Sequence, residues 1–204
     1  MTARRIVLRD GGAVDDPLGV VLAFLAAYRI DVGQAPPASF GEGDVRLANR
    51  GGARIAAAEA AAMLERRRTI ERALRAIAPD ATLAGPESTV PWPPLRRLFD
   101  AFGDLRGVGF SKVTKTLHPK RPGLVPILDS FVQAYLADDD PGRDAPFGER
   151  ALGLVRGYKR ELDRNRAALQ SLRRELDGRG HELTEVRILD LLIWSVAAGS
   201  ARTR

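Results

Sequence analysis

Cysteine is absent from the 204 residues, which excludes disulfides, thiolate zinc sites and iron–sulfur clusters. Histidine is almost absent, and the two present, His118 and His181, stand too far apart to form a local metal motif. Lysine is scarce too, so the formal charge of +6 is carried mostly by arginine. Long apolar runs are missing. The longest, Leu18–Tyr28, is too short to span a bilayer. Met1–Arg9 is basic, but Asp10, Asp15 and Asp16 break the stretch where an apolar core would have to lie, so no signal peptide is read. Together these absences predict a cytoplasmic protein with no membrane partner, no metal and no cofactor held by its side chains.

What is present suits a folded chain. Apolar residues make up 45%, enough for a real core rather than a disordered polymer. The sequence pI near 10.3 suits a polyanionic partner such as nucleic acid. Arg4–Arg9 alternates weakly and predicts a short strand or extended arm. Asp16-Pro17 reads as the N-cap and first residue of a helix reaching about Tyr28. Asp31–Glu42, with Pro36, Pro37 and glycines, is a loop and a boundary. It divides an N-terminal segment (1–33) packing on the core from a helical domain (34–204). Asp44 is a candidate cap for a helix over Val45–Asn49, stopped by Gly51-Gly52; Arg54–Arg66 and Thr69–Ile77 follow as alanine-rich helices.

Beyond the proline-rich loop Ala81–Pro94, Leu95, Leu98, Phe99 and Phe102 form an i, i+3, i+4, i+7 stripe that predicts an amphipathic helix. A helix after Asp129 is expected to run to about Leu136. One long helix is predicted from Glu149 to Asp177. Its seam is Val155, Tyr158, Leu162, Leu169, Leu172 and Leu176, with Asn165 in the missing heptad place. Thr184–Ala198 closes the chain as an apolar helix bearing Arg187, Asp190 and Trp194. The fold class is all-α, with a short N-terminal extended segment.

Chemistry concentrates in residues 105–132, LRGVGFSKVTKTLHPKRPGLVPILDSFV. Gly107-Val108-Gly109 reads as a tight hairpin between helices at Arg97–Asp104 and Ser111–Leu117. Glycine is favoured where φ turns positive or a phosphate must come close to the backbone. The hairpin presents amides at a helix start, where unpaired N–H groups and the dipole attract anions. Three of the four lysines, Lys112, Lys115 and Lys120, lie beyond it, with Arg121 beside the last and Asp129 after an apolar run.

Leu105-Arg106-Gly107-Val108-Gly109 resembles the L-P-G-V-G hairpin of the helix-hairpin-helix DNA glycosylase superfamily, the endonuclease III-like enzymes. In that family an essential aspartate comes later in a V-D-T-H-V-like segment, and Ile127-Leu128-Asp129-Ser130-Phe131-Val132 occupies the matching place without a gap. Ser111, eighteen residues before Asp129, falls where bifunctional members carry a Schiff-base lysine. Arg106, Ser130 and Phe131 depart from the family pattern. KTLHPKRPGLVPILDS is also similar to a bacterial family with a glycosylase-like hairpin, from which no activity carries over.

The resemblance implies a helix-hairpin-helix glycosylase-like helical bundle acting on double-stranded DNA. Amides at Gly107, Val108 and Gly109 would hold a backbone phosphate, with a monovalent cation on the hairpin carbonyls as in the family. Lys112, Lys115, Lys120 and Arg121 would add sequence-independent phosphate contacts. Asp129 would stabilise oxocarbenium character and activate water, and Ser111, unable to form a Schiff base, implies a monofunctional hydrolase of DNA repair. Trp92 and His118 are candidate wedge or base contacts on a base that has left the stack.

Plainer readings stand beside these. Asp129 suits a helix N-cap, and a cap is compatible with catalysis. The glycines suit an ordinary turn and the lysines a solvated face. His118 suits a helix C-terminus, Trp92 a packed loop aromatic, and Arg187 with Asp190 a local ion pair. Three functions are therefore carried: a monofunctional DNA N-glycosylase, a non-catalytic helix-hairpin-helix DNA-binding protein, and a helical protein–protein module pairing through the Val155–Leu176 seam. The expected state is a monomer or weak dimer.

Overall fold

Leu95, Leu98 and Phe99 are fully buried along one side of a helix over Trp92–Asp100, and that side packs against the longer helix Phe147–Arg164. Gly148 donates its N–H to Asp100 Oδ1 at 2.9 Å where the two meet. A Cβ on Gly148 would run into that carboxylate and the Arg96 carbonyl, so only glycine allows the approach. The computed structural model describes residues 5–9, 11–27 and 36–202, with 198–202 by backbone alone. The expected boundary at 31–35, the helix end at Tyr28 and the interrupting Asp10 lie outside the described residues.

In chain order the elements are β1 (Ile6–Val7), β2 (Ala13–Val14), α1 (Pro17–Ala27), α2 (Glu42–Arg50), α3 (Ala57–Glu65), α4 (Arg67–Arg75), α5 (Trp92–Asp100), α6 (Phe110–Leu117), α7 (Ser130–Tyr135), α8 (Phe147–Arg164), α9 (Arg166–Asp177) and α10 (Glu185–Arg202). Short 3-10 turns lie at Glu87–Thr89, His118–Lys120 and Ala137–Asp139. The fold is all-α, with one two-stranded antiparallel pair in the register Ile6↔Val14 and Val7↔Ala13. No helix among the described residues is long and apolar enough to cross a membrane.

Local chemistry sets several boundaries. Asp16 Oδ1 accepts the Gly19 N–H at 2.9 Å, and α1 begins at Pro17 as its Asp-Pro pair predicts. α2 starts earlier than expected, at Glu42, because Asp44 sits at its third position and reaches back to the Gly41 N–H at 2.8 Å. α5 stops at Asp100 rather than Asp104. Asp104 has φ +62, a left-handed conformation that cannot continue a right-handed helix.

The expected single helix from Glu149 to Asp177 is two, broken at Asn165, whose φ of −107 and ψ of 12 leave the helical region. The heptad misfit has a cause. Asn165 Oδ1 accepts the Val7 N–H at 3.0 Å, and its Nδ2 donates to the Val7 carbonyl at 2.9 Å. One side-chain amide thus pairs β1 as a neighbouring strand would, and buries Ile6 and Leu8 against the helices. Around it, Glu161 accepts from the Tyr135 hydroxyl at 2.8 Å, from Arg9 at 3.3 Å and from Arg164 at 3.0 Å. Burial, and then the Glu161 carboxylate, push the Tyr135 hydroxyl well above its usual range. The seam residues Val155, Tyr158, Leu162, Leu169, Leu172 and Leu176 are all buried in the same chain. That removes the stripe on which self-pairing was expected to rest.

Two of the predicted phosphate contacts are corrected here, because both are inside. Lys120 puts its ammonium 2.7 Å from Asp44 and donates to the Pro36 carbonyl at 3.1 Å. Arg121, 1% exposed, donates to the carbonyls of Pro37, Lys120, Leu74 and Ile77 at 2.7–2.9 Å. It caps the end of α4 and binds it to the chain entering α2 and to the turn leaving α6. Its environment has carbonyls rather than a carboxylate, and burial lowers its affinity for the proton. Arg121→Met should lower the unfolding free energy by about 3 kcal/mol or more, since several buried carbonyls lose their donor. Urea denaturation gives the value, and a change below about 1 kcal/mol would mean the carbonyls find water.

Candidate functional site

The turn from Ala101 to Gly109 delivers the chain from α5 to α6. Val108 and Phe110 are buried and fix it to the core, whereas Arg106, Gly107 and Gly109 face solvent. The Val108 N–H bonds to the Leu105 carbonyl at 3.1 Å, and Gly107 takes φ +79, where a side chain would be strained. A Cβ on Gly107 would also strike the Glu59 carboxylate. Gly109 is the extended N-cap residue of α6, and its carbonyl accepts the N–H groups of Lys112 and Val113, both at 3.1 Å. The amides of Gly109, Phe110 and Ser111 have no partner among the described residues. The Val108 amide, expected to hold a phosphate, is instead spent on the Leu105 carbonyl; that of Gly109 stays free, followed by those of buried Phe110 and of Ser111, and unpartnered donors at a helix start suit an anion.

The remaining lysines behave differently from one another. Lys112 donates to both oxygens of Glu59 at 2.6 Å and to the Gly107 carbonyl at 2.9 Å. Hydrogen bonding from Lys112, and then from the Ala56 amide, holds the Glu59 carboxyl below its usual range. The hairpin carbonyl expected to attract a monovalent cation therefore already holds an ammonium. Among the described residues no group of three or more His, Asp or Glu side chains is placed to hold a metal. Lys115, one turn after Ser111, has among the described residues only the Gly52 carbonyl, at 3.3 Å. Burial lowers the Lys115 pKa, Asp129 opposes that, and the charges of Arg187 and Arg54 reinforce it.

Asp129 is the N-cap of α7: its Oδ1 accepts the N–H groups of Phe131 and Val132, each at 3.0 Å. A cap of this kind contributes about 1 kcal/mol. The neighbouring amides are held as well. Leu128 N–H bonds to Thr114 Oγ1 at 3.0 Å, and Ile127 N–H bonds to Asp190 Oδ2 at 3.2 Å. Thr114 adjoins Lys115 and Leu128 adjoins Asp129, so α6 and the aspartate are pinned side by side. Asp129 is half-buried, and its second oxygen takes no hydrogen bond among the described residues. Two clefts, of about 510 and 450 Å³, open elsewhere; neither Asp129 nor Ser111 lines them. The first lies between β2, α1 and α10, the second between residues 79–85, Pro122-Gly123 and the start of α10.

His118 and Trp92 do not join the aspartate as base contacts. His118 bonds through Nδ1 to the Val125 carbonyl at 2.7 Å; since a carbonyl only accepts, Nδ1 carries the proton. Burial first, and then the charge of Arg187, push its pKa down to about 4, so the ring is neutral at ordinary pH. Trp92 lies at the start of α5 with Arg156 of α8 over its ring at 5.2 Å, and its indole N–H is buried without a partner among the described residues. Arg187 and Asp190 form the expected local pair on α10, though at a loose 3.9 Å. Burial pushes Asp190 up to about 7, against the pull of Arg187. Trp194 packs edge-on to Phe24 and Phe131.

Glu59, Gly52 and Arg54 reach this region without having been singled out from the sequence. Gly51-Gly52 reads there only as a helix stop, and the pattern Asn49-x-Gly-Gly gives the one local hint of a second built turn. Asn49 clamps both backbone groups of Ile55, at 2.7 and 3.1 Å. A family model described as a family of unknown function (DUF6308) matches residues 37–197. No curated protein matches the chain, and no solved structure does.

The two desolvated titrating groups have opposite effects on stability. His118 is held neutral, so its contribution is complete above its ordinary value of 6.5 and is lost as pH falls toward 4. Asp190 is held protonated, so its contribution is complete below its ordinary value of 3.8 and is lost as pH rises toward 7. Between pH 4 and 6.5 the two slopes oppose, each at most about 1.4 kcal/mol per pH unit. Relative to wild type, Asp190→Asn should make stability rise more steeply with pH, and His118→Asn should make it fall. Urea midpoints across this range decide the matter; variants that parallel wild type would show that neither group is held as described.

Proposed function

The chain belongs to that family of unknown function, and we propose that it is a duplex-DNA-binding protein of helix-hairpin-helix type, working in the cytoplasm. It holds the phosphate backbone through the turn 107–111. The observation that carries this reading is the set of three unpartnered amides at Gly109, Phe110 and Ser111, at a helix start that opens on exposed Gly109, beside Arg106 and ahead of Lys115. Contacts of that kind fix a protein on the duplex without reading sequence. The overall charge of +6 adds long-range attraction to the same partner.

A second reading, hydrolysis of an N-glycosidic bond, rests on Asp129. Its free carboxylate oxygen lies beside α6 in the register of the glycosylase aspartate, and the cap on its other oxygen fixes its direction. Ser111 offers no amine, so that chemistry ends with an abasic site. Because Asp129 lines neither of the two clefts described above, binding is the primary reading.

Gly109→Asp separates binding from folding. The position is extended and open, with nothing within 4 Å of a Cβ, so an aspartate there caps α6 and occupies its free amides. The variant should be at least as stable, with a gain of roughly 0.3 kcal/mol, and should bind a 20-base-pair duplex at least about tenfold more weakly in fluorescence anisotropy. Unchanged affinity in a folded variant would end the phosphate-turn reading. For the second reading, duplexes carrying deaminated, oxidised or alkylated bases should show base release that Asp129→Asn abolishes. Asparagine keeps the cap, so lost release with retained binding assigns the chemistry to the carboxylate.

A further inference from the structure

We propose that Arg54, Lys115 and Arg187 form a phosphodiester subsite beside Asp129, separate from the amides at the start of α6. The inference rests on the DNA-binding reading and extends it to a second phosphate on the same strand.

Lys115 differs from its neighbours in what holds it. The ammoniums of Lys112 and Lys120 each lie within 2.7 Å of a carboxylate, whereas Lys115 has a single carbonyl at 3.3 Å. That carbonyl belongs to Gly52, two residues before Arg54. Arg54 is exposed, has no hydrogen bond or ion pair among the described residues, and has φ +55. A non-glycine residue there costs roughly 1–3 kcal/mol and persists only where its surroundings impose it. Here they do: the Ala53 N–H bonds to the Ala48 carbonyl at 3.0 Å, and Asn49 clamps Ile55 on the other side. The loop is rigid and points an unpaired guanidinium outward next to α6.

From the opposite side, α10 supplies Arg187. Its guanidinium is oriented over the Phe24 ring at 5.9 Å and loosely by Asp190, whose Oδ2 holds the Ile127 amide two residues before Asp129. Lys115 stands between the two: the Gly52 carbonyl ties its ammonium to the loop of Arg54, and the Leu128 N–H on Thr114 Oγ1 sets Asp129 beside α6, while the charges of Arg187 and Arg54 lower its pKa and that of Asp129 raises it. Arg54, Lys115 and Arg187 thus come from three separate elements to the neighbourhood of half-buried Asp129: Lys115 through the Gly52 carbonyl and the Thr114–Leu128 bond, Arg187 through Asp190 and the Ile127 amide. Three cations against one carboxylate with a free oxygen leave positive charge in excess there, which a further anion would offset. A phosphodiester, with two oxygens to divide among two guanidiniums and an ammonium, is suited to that arrangement.

The placement suits one DNA strand. From Ser111 to Lys115 the helix rises about 6 Å, which is one or two nucleotides at roughly 3.4 Å each along a strand. A phosphate on the α6 amides and a second on this cluster would leave the intervening sugar at Asp129. The cluster therefore places the nucleotide whose sugar the aspartate meets, whether or not hydrolysis occurs.

Duplex affinity measured from 50 to 300 mM salt tests the subsite, using wild type, Arg54→Ala and Lys115→Gln, with thermal melts alongside. Each variant removes one phosphate contact, so each should lower the slope of log affinity against log salt by about 0.9 and weaken binding several-fold. Arg54→Ala touches nothing inside and should melt as wild type does; Arg187, tied to buried Asp190, is left intact for that reason. If duplex binding persists with wild-type slopes in both variants, the subsite is refuted while the phosphate turn stands. If wild type fails to bind duplex, a phosphodiester dinucleotide is titrated and followed by amide resonances of residues 52–55 and 111–116. Saturable shifts that Arg54→Ala abolishes would support the subsite without the DNA reading, and an absence of shifts would overturn both.

Discussion

A buried guanidinium with no carboxylate partner is the constraint on which the arrangement depends. Arg121 gathers four main-chain carbonyls from three segments: the end of α4, the approach to α2 and the turn that closes α6. Helix ends leave carbonyls without internal partners, and burying them unpaired is costly. Because those acceptors are distributed over the fold, α4, α2 and the exit of α6 can come together only with this side chain between them. Lys120 repeats the device one residue earlier with Asp44 and Pro36. The segment from Val125 to Leu128 leaves this junction and brings Asp129 alongside α6 through the Leu128–Thr114 bond.

The N-terminal residues are held by a comparable polar device. Asn165 interrupts α8 and α9 to pair both backbone groups of Val7, and Glu161 collects Arg9, Arg164 and the Tyr135 hydroxyl. Tyr135 ends α7, the helix that Asp129 begins. The aspartate's helix is thereby fixed at both ends, by its own cap at the start and by the N-terminal segment at the finish. The consequence is a stiff presentation of half-buried Asp129.

What the sequence disclosed and what it hid divide along physical lines. Periodicity located the α5 stripe, because Leu95, Leu98 and Phe99 meet the core at helical spacing. Local caps were legible at Asp16 and Asp129, since an N-cap is a contact over two or three residues. Long-range polar pairing was not. Nothing in HPKRP distinguishes a lysine aimed at solvent from one bound to a carboxylate seventy-six residues away, and both Lys120 and Arg121 went inside. Asn165 read as a weak heptad residue because its partner is the backbone of Val7, invisible to any helical pattern. The seam around it was correctly apolar, yet its partners lie within the same chain. Of the candidate site, the turn and the aspartate were legible from glycine placement and spacing; Glu59, Gly52 and Arg54 were not, because they arrive from a separate helix pair.

These placements redistribute the charge near the turn. Lys112, Lys120 and Arg121 are committed to internal partners, and the cations left to meet DNA are fewer and come from several elements. The backbone amides therefore carry more of the proposed contact than the lysine-rich sequence suggests. Amide chemical-shift mapping of the labelled protein during titration with a short duplex tests that claim most directly. The account predicts the largest perturbations at Gly109, Phe110 and Ser111, with smaller ones at Gly52–Ile55 and around Lys115. Perturbations confined to the exposed arginines of α4, with the α6 turn unmoved, would contradict it.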